Sequence, residues 1–399
     1  MDDVRQITVV ERRHRLGRRH ALAPAHRVAD AVEATRAMTV LHATEAPSVY
    51  LSVFARVDAV TVADVDRALY DERSLVKQLA MRRTLFVFPR DLLPAAWGSA
   101  SARVAAAHRV RLAKDVELGG LSDDGAAWVD AAERATLAHL AGGVERSAQQ
   151  LREEVPALAG RIETSPGKSY GANVPIAPRV LTQLGVEAKI VRGRNAGHWR
   201  TSRPQWTLMS SWLGEAPEPT KEREGYAELA RRWLATFGPG TEGDLAWWLG
   251  STKTAVRAAL ADVGAVEVGL GGGATGWLLP DDPLVEESEP EVAPWAALLP
   301  VLDPTVMGWK ERDFYLGPHG PMLFDTNGNA GTTAWWDGRA VGCWVQDPDG
   351  VVVLHVLEDV GSEARAALAA EAARLTGWLD GHRVSTVYPS IAMKSALSP

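Results

Sequence analysis

The sequence is poor in cysteine, and it has neither a long apolar run nor histidines at metal-binding spacing. Its one cysteine, Cys343, cannot form a disulfide within the chain, and we expect a buried small side chain there. No apolar run approaches the roughly 18 residues that cross a bilayer, and the Arg-rich residues 1–20 lack the apolar core of a secretory signal. None of the ten histidines has a histidine four residues away or a cysteine partner. We therefore predict a cytoplasmic protein with no membrane partner, no metal and no cofactor.

Charge is divided unevenly along the 399 residues, although the net charge is only −7. Residues 1–200 contain 29 Lys and Arg against 23 Asp and Glu, whereas residues 201–399 contain 14 against 27. A polyanion would be attracted to the N-terminal half and repelled by the other half, because phosphate contacts come from local basic patches. Drift of surface charge between domains explains the same imbalance without any nucleic acid.

The first part of the chain shows helical spacing of apolar residues and then strand-like alternation. The spacing predicts a helix over 28–42, followed by helices over 48–57 and 61–70. Alternation over 81–89 predicts a strand, and an Ala-rich helix is expected over 91–117.

Three helices followed by a β-hairpin recur twice further along. The first set comprises helices over 122–141, 147–154 and 175–184 and strands over 186–192 and 197–208. After an acidic linker at 214–224, the second set comprises helices over 226–237, 244–249 and 251–263 and a hairpin over 265–279. This order is typical of winged-helix units, in which a hairpin wing follows a helix-turn-helix. In the helical pair Trp247-Trp248, one ring at least should be buried.

Strands dominate the end of the chain. They are predicted over 321–325, 331–336, 340–345, 351–357 and 383–388, with a helix over 362–379. The expected fold class is α+β, with three tandem winged-helix units and a C-terminal antiparallel β-rich, barrel-like domain. The predicted domains are a first unit with a basic N-terminal segment (1–120), a second unit with a basic wing (121–215), a third unit (220–285) and the β-rich domain (290–399).

Two glycine-containing segments match enzyme motifs but stand in the wrong context. Residues 167–171 match G-x-S-x-G, yet the polar residues before them cannot form the buried strand that such a nucleophile requires. Ile162 occupies the position of the first P-loop glycine. Lys168 is instead a candidate phosphate contact in a loop of the second unit. Residues 269–274 are interpreted as the turn of a wing, because no helix follows them.

Arginines of the second unit fall where a helix and its wing would meet a duplex. The candidate contacts to double-stranded DNA are Arg179, Arg192, Arg194, Arg200 and Arg203. A solvated protein surface is the alternative explanation for the same arginines.

Several short segments resemble one protein family over nearly the whole chain. They are LHATE at 41–45, MRRTL at 81–85, VRGR at 191–194, FGPG at 237–240, LPVLD at 299–303 and DGR at 337–339. They resemble the winged-helix DNA glycosylases typified by AlkZ and YcaQ, in an actinobacterial-type branch. The resemblance implies three winged-helix units in a C-shape around a DNA-facing channel, a β-rich domain, removal of alkylated purines and unhooking of crosslinks. Arg82 and Arg83 are further candidate DNA contacts.

The catalytic motif of those glycosylases, Gln-x-Gln or Gln-x-Asp, is replaced here by His42-Ala43-Thr44. In extended chain, residues i and i+2 face the same way, so His42 and Thr44 can point into one cavity. A purine alkylated at N3 or N7 is already a cationic leaving group. A neutral His42 that accepts a proton from water, with Thr44 or Glu45 orienting that water, would therefore suffice for catalysis. The alternative is structural, with His42 satisfying backbone groups and Thr44 capping the next helix.

Functions of different classes remain open at this point. One is a monomeric, nucleoid-associated DNA glycosylase that hydrolyses the N-glycosidic bond of alkylated purines in DNA repair. Another is a non-catalytic winged-helix protein that binds DNA or senses damage, and a third is an unrelated enzyme using an interdomain cleft. Convergence of His42, Thr44 and Arg82 on a basic channel would favour the glycosylase, and dispersed buried side chains would favour the binding protein.

Overall fold

The computed structural model describes residues 4–164, 172–286 and 290–397, in which helices alternate with several small sheets. The first elements are β1 (Gln6–Ile7), α1 (Val9–Arg19), α2 (Ala31–Ala37), β2 (Leu41–His42), α3 (Ala46–Phe54), α4 (Val62–Asp66), β3 (Leu75–Leu79) and β4 (Leu85–Pro89). Strands β2, β4 and β3 form one antiparallel sheet in that order. None of the helices in the described ranges is long and apolar enough to span a membrane.

Two boundaries predicted in this first part are wrong. The helix predicted over 28–42 ends at Ala37, because Thr39 takes a left-handed φ of 64° that cannot continue a right-handed helix. Residues 41–42 then form a strand. The strand predicted from residue 81 begins only at Leu85, because residues 81–83 form a tight turn.

The second part follows the predicted order of three helices and a hairpin. Its elements are α5 (Leu93–Ala96), α6 (Ala102–Leu118), α7 (Gly125–His139), α8 (Ala148–Glu154), β5 (Arg161–Thr164), β6 (Ala172–Pro175), α9 (Ala177–Val186), β7 (Ile190–Asn195), β8 (Pro204–Leu208) and α10 (Met209–Leu213). Ser147 caps α8 as its residue type suggested. The sequence did not predict the additional β5–β6 hairpin.

The third part repeats that order with α11 (Glu222–Phe237), α12 (Glu242–Leu249), α13 (Lys253–Asp262), β9 (Val266–Leu270) and β10 (Ala274–Leu278). Thr241 and Thr252 cap α12 and α13. The glycines at 271–273 form the hairpin turn, as predicted for residues 269–274. Strand β1 pairs in parallel with β9, so the N-terminal segment extends this sheet rather than the sheet of the first part.

The C-terminal part contains one open sheet. Its elements are β11 (Ala296–Leu299), α14 (Pro304–Met307), α15 (Asp313–Leu316), α16 (Gly320–Leu323), β12 (Thr333–Trp336), β13 (Arg339–Gln346), β14 (Val352–Val356), α17 (Gly361–Leu379) and α18 (Ile391–Leu397). The strands run antiparallel in the order β11-β12-β13-β14, so β11 and β14 are edges and the barrel-like expectation is wrong.

Two predicted strands of this part are also wrong. Residues 320–323 are helical. Residues 383–388 form no strand, because side chains accept the hydrogen bonds of their backbone: Gln346 accepts from the N–H of Val384 at 2.8 Å. Cys343 is fully buried, as predicted, and burial raises the pKa of its thiol to about 12.

A continuous hydrophobic core joins the first, third and C-terminal parts and includes α5 and α10, whereas α6–α9 of the second part have a core of their own. A buried ion pair lies within the shared core. Arg56, just after α3, donates to the two carboxylate oxygens of Asp303 at 2.9 and 2.8 Å, and both side chains are 0% exposed. Ser52 donates to the same carboxylate at 2.7 Å. Burial alone would raise the pKa of Asp303, but the charge and hydrogen bonds of Arg56, with Ser52, outweigh it and lower the pKa.

The polar network continues into the third part through His20. Its Nδ1 lies 3.0 Å from the Thr305 hydroxyl, which also accepts a hydrogen bond from Arg56 at 2.9 Å. Its Nε2 lies 3.3 Å from the carbonyl oxygen of Thr236. Burial, aided by the charge of Arg56, lowers the pKa of His20 to about 3, so this imidazole is neutral at pH 7. Three parts of the chain are thus connected by hydrogen bonds between buried polar groups.

Replacing Asp303 tests this network. Asp303→Asn leaves the buried Arg56 without a counter-charge, and we expect the free energy of unfolding to fall by about 3–5 kcal/mol in urea denaturation. The control is Asp359→Asn, which removes an exposed partner of Arg365 and should change stability by less than about 1 kcal/mol. Equal losses for the two variants would contradict the role given to Asp303.

Candidate functional site

His42, the first residue of the candidate motif, is buried with an unused ring nitrogen. It is 5% exposed, and its ring centroid lies 4.6 Å from that of Phe86, its neighbour on β4. Its Nδ1 has no hydrogen-bond partner among the described residues. Leaving such a group unpaired costs about 1–3 kcal/mol, so it is uncommon in a purely structural position.

Burial and nearby charges keep the imidazole of His42 neutral. Burial is the largest cause that lowers its pKa to about 3; the charges of Arg82 and Arg312 act in the same direction, and that of Asp303 opposes them. At pH 7 the ring can therefore accept a hydrogen bond, but it is a weak base.

The structure does not bring the three candidate catalytic side chains together. Thr44 is exposed, in contrast to the buried His42. Glu45 points toward the C-terminal part, where its Oε1 accepts hydrogen bonds from the hydroxyl of Thr386 at 2.8 Å and the N–H of Val387 at 2.7 Å. Burial raises the pKa of Glu45. The same residue lines a cavity of about 490 Å³ between α3 and the C-terminal part.

The alternative role, in which His42 satisfies backbone groups and Thr44 caps the next helix, does not match the structure either. The N-cap position of α3 is Glu45, no side chain provides a cap there, and Thr44 lies before it. Within the described ranges, Nδ1 of His42 bonds no backbone group. The expected helix cap at Thr44 is therefore wrong, because the helix begins one residue later than that role requires.

The turn between β3 and β4 directs Arg82 toward α12. Arg82 and Arg83 have φ values of 53° and 57°, a left-handed conformation that residues with a Cβ adopt rarely and at a cost of about 1–3 kcal/mol each. Gly250 ends α12 with a φ of 62°, and a Cβ there would lie 3.0 Å from the backbone nitrogen of Arg82. Glycine at 250 thus permits the close approach of helix and turn.

Arg82, Trp247 and Arg312 form what we call the arginine–tryptophan cluster. The Cζ atom of Arg82 lies 3.8 Å from the ring centroid of Trp247, and that of Arg312 lies 4.9 Å from it. Neither guanidinium has a carboxylate within ion-pair distance in the part of the chain that the structure describes, and Nε of Arg82 is buried without a partner. Burial, with the charge of Arg312, lowers the pKa of Arg82 to about 10, which leaves it charged at pH 7.

Of the three residues in this cluster, the sequence indicated only Arg82 as a candidate site residue. Arg312 lies in a segment with no recognised motif. Trp248 is 3% exposed and Trp247 is half-buried, so the prediction that at least one ring of the pair is buried is confirmed. The less buried ring of the pair would have indicated the functional tryptophan, because Trp247 is the one that the arginines contact.

Several arginines predicted to contact DNA have partners within the chain. Arg179 pairs with Asp115, and Arg194 pairs with Asp71. Arg200 donates to a backbone carbonyl oxygen of the C-terminal part. The contacts of Arg194 and Arg200 join the second part to its neighbours, whereas the Arg179–Asp115 pair lies within it, and all three guanidiniums remain near the surface.

The other predicted contacts differ in exposure. Arg192 is half-buried, with its Cζ 5.1 Å from the ring centroid of Trp206, and it lines a narrow cleft together with Ala43 of the candidate motif. Arg83 and Arg203 are exposed. Lys168 lies outside the described residues. No group of three or more potential metal ligands occurs among the residues that are described.

Comparison with known proteins identifies the class and then the family. The structure is similar to that of the Streptomyces sahachiroi DNA glycosylase AlkZ, with a TM-score of 0.69 and 20% identity over 92% of this chain and 96% of that chain, which shows a shared fold. Residues 35–378 match the family model described as DNA glycosylase AlkZ-like. No curated protein sequence matches the chain. The chain therefore belongs to the AlkZ-like DNA glycosylase family, as its motifs had suggested.

The lowered pKa of His42 predicts a pH dependence of stability. The ordinary value is 6.5 and the folded value is about 3, so between them the unfolded chain binds a proton that the folded chain does not. We expect the free energy of unfolding to fall as the pH decreases from 7 to 4, and His42→Gln to reduce that slope. The measurement is urea denaturation across this range, with the exposed-histidine variant His382→Gln as control. An unaltered slope in His42→Gln would mean that His42 titrates normally.

Proposed function

We propose that this protein is a monofunctional DNA glycosylase that hydrolyses the N-glycosidic bond of alkylated purines in DNA. The observation that carries the proposal is the position of His42. In a chain of the AlkZ-like family, it stands where the catalytic motif is expected, with an unpaired Nδ1 beside the charge of Arg82.

Hydrolysis of this bond does not require His42 to be a strong base. When the bond between C1′ and the base breaks, its electron pair goes to the cationic alkylated purine, which leaves as a neutral base. Water then attacks C1′, and the oxygen that it contributes becomes strongly acidic once the new bond forms. A neutral imidazole with a low pKa is sufficient to hold that water by accepting a hydrogen bond and to receive or pass on its proton.

The order of elements supports tandem winged-helix units. Three helices directly precede the antiparallel hairpin of the third part, whereas β2 lies among the helices before β3–β4 and the β5–β6 pair lies before α9 of the second part. We propose that these units bind double-stranded DNA through the exposed Arg83 and Arg203, the half-buried Arg192, and Lys168. Arg179, Arg194 and Arg200 would exchange their internal partners for phosphates, since surface ion pairs are worth only about 0–1 kcal/mol. The protein would act as a monomer on the nucleoid in the cytoplasm, and crosslinked bases are further candidate substrates.

One observation favours a second function. His42 is 5% exposed, so DNA must open the site before a water molecule or nucleotide reaches Nδ1. A protein that does not open in this way would bind or sense damaged DNA without cleaving it.

Base release distinguishes the two functions. The wild-type protein should liberate 7-methylguanine from alkylated duplex DNA, and His42→Ala should reduce release at least about 100-fold, as expected for loss of a group that handles the proton. Duplex affinity should stay within about twofold, since a neutral side chain contributes no phosphate contact. His382→Ala serves as the matched control. Binding without any release by the wild-type protein would rule out the glycosylase and support the damage-binding protein.

Charge reversal tests the wing. Arg192→Glu combined with Arg194→Glu should weaken binding to duplexes of any sequence by at least about tenfold and reduce the salt dependence by about two phosphate contacts. Arg231→Glu with Arg365→Glu changes the net charge equally at exposed positions elsewhere. Fluorescence anisotropy over a salt series gives both quantities. If the two double variants behave alike, net charge rather than the wing determines affinity.

A further inference from the structure

No carboxylate of the described residues forms an ion pair with either arginine of the arginine–tryptophan cluster. Asp244 is the carboxylate that interacts electrostatically with Arg312, and both of its oxygens already accept hydrogen bonds. Oδ1 accepts the N–H groups of Lys310 and Glu311, each at 2.8 Å, while Oδ2 accepts the N–H and hydroxyl of the capping Thr241. Asp244 is 0% exposed, so it cannot reorient toward a guanidinium without breaking these bonds.

Three separate parts of the chain contribute to this cluster. Arg82 comes from the β3–β4 turn, Trp247 from α12, and Arg312 from the segment before α15. Arg312 also lies over Phe324, with its Cζ 4.6 Å from the ring centroid. Aromatic faces stabilise cations by about 0.5–2 kcal/mol without using the hydrogen-bond donors of the guanidinium. Nε of Arg312 donates to the carbonyl oxygen of Trp309 at 2.7 Å, so its Nη donors are the ones available to an anion.

One member of the cluster, Arg312, lines an open cleft of about 790 Å³. Arg12 lines it as well; its Cζ lies 3.6 Å from the ring centroid of Phe314, and it forms no ion pair in the described ranges. Burial lowers the pKa of Arg12 to about 10. The other charged residues that line the cleft are Arg13, Lys310, Glu311 and Asp313, so its charge is mixed.

We infer that Arg82 and Arg312 bind a phosphodiester of the DNA backbone next to the nucleotide that faces His42, with Trp247 as the surface against which the neighbouring sugar or base packs. Guanidinium groups match phosphate oxygens with two parallel hydrogen bonds, and a half-exposed tryptophan accepts a nucleotide ring. The inference rests on the proposed function for its ligand, since a member of this family must hold DNA beside the candidate motif.

A phosphate bound at this site would also change the proton affinity of His42. Burial lowers the proton affinity of His42, and the charges of Arg82 and Arg312 lower it as well, whereas the charge of Asp303 raises it. A phosphate between the two arginines cancels their effect, so DNA binding would make His42 a better hydrogen-bond acceptor and a stronger base.

Arg312→Gln tests the site by binding rather than catalysis. For an undamaged duplex, we expect affinity to fall about tenfold and the slope of log K against log salt to decrease by about one phosphate contact. Arg365→Gln, which removes an arginine of α17 that pairs with the exposed Asp359, should change neither quantity. Arg312→Lys should retain most of the slope, because it retains the charge. Thermal melting should show Arg312→Gln at or above the wild-type melting temperature, since the variant removes a desolvated cation that has no counter-ion.

The outcomes separate this inference from the proposed function. A lower melting temperature for Arg312→Gln with an unchanged salt slope would show that the cluster is structural and overturn the inference. Inorganic phosphate that stabilises the wild-type protein but does not compete with duplex would point to a free phosphate ligand and overturn it as well. A protein that binds duplex through Arg312 but releases no base would leave the inference intact and refute only the glycosylase.

Discussion

The ion pair of Arg56 and Asp303 constrains the rest of the structure. Both side chains are fully buried, so each charge is tolerable only while the other remains within hydrogen-bond distance. Arg56 follows α3 of the first part, Asp303 begins α14 of the C-terminal part, and His20 extends the same network to Thr236 of the third part. A shift of any of these parts would break bonds that water cannot replace. The network therefore fixes the distance between β2, which carries His42, and the segment that carries Arg312.

Two buried histidines and two buried arginines differ in the partners that they have. His20 and His42 both have a pKa lowered to about 3. The two ring nitrogens of His20 have partners, whereas Nδ1 of His42 has none in the described ranges. Nε is buried without a partner in both Arg56 and Arg82, but Arg56 is paired with a carboxylate, whereas Arg82 stacks on Trp247 without one. His20 and the ion pair of Arg56 therefore hold the fold, whereas Nδ1 of His42 can still accept a hydrogen bond.

Local patterns were sufficient to predict much of the fold but little of the site. Capping residues such as Thr241 and glycine turns such as 271–273 act within a few residues, so the sequence alone indicates them. The open C-terminal sheet was not predictable from strand spacing, because whether a sheet closes depends on pairing between distant edges. Arg312 was missed for a related reason: its importance comes from Trp247 and Arg82, which are far away in sequence. The orphaned nitrogen of His42 likewise becomes visible only when the packing around Phe86 is known.

A buried polar network connects the parts of the chain that carry His42 and the arginine–tryptophan cluster, and we propose that the two form one DNA-facing site. A crystal structure of the protein bound to duplex DNA with a non-hydrolysable alkylated nucleotide tests it most directly. The claim predicts a backbone phosphate between Arg82 and Arg312, with Nδ1 of His42 in contact with a water molecule near C1′. A duplex bound elsewhere, with Nδ1 still enclosed and the two guanidiniums free of phosphate, would contradict it.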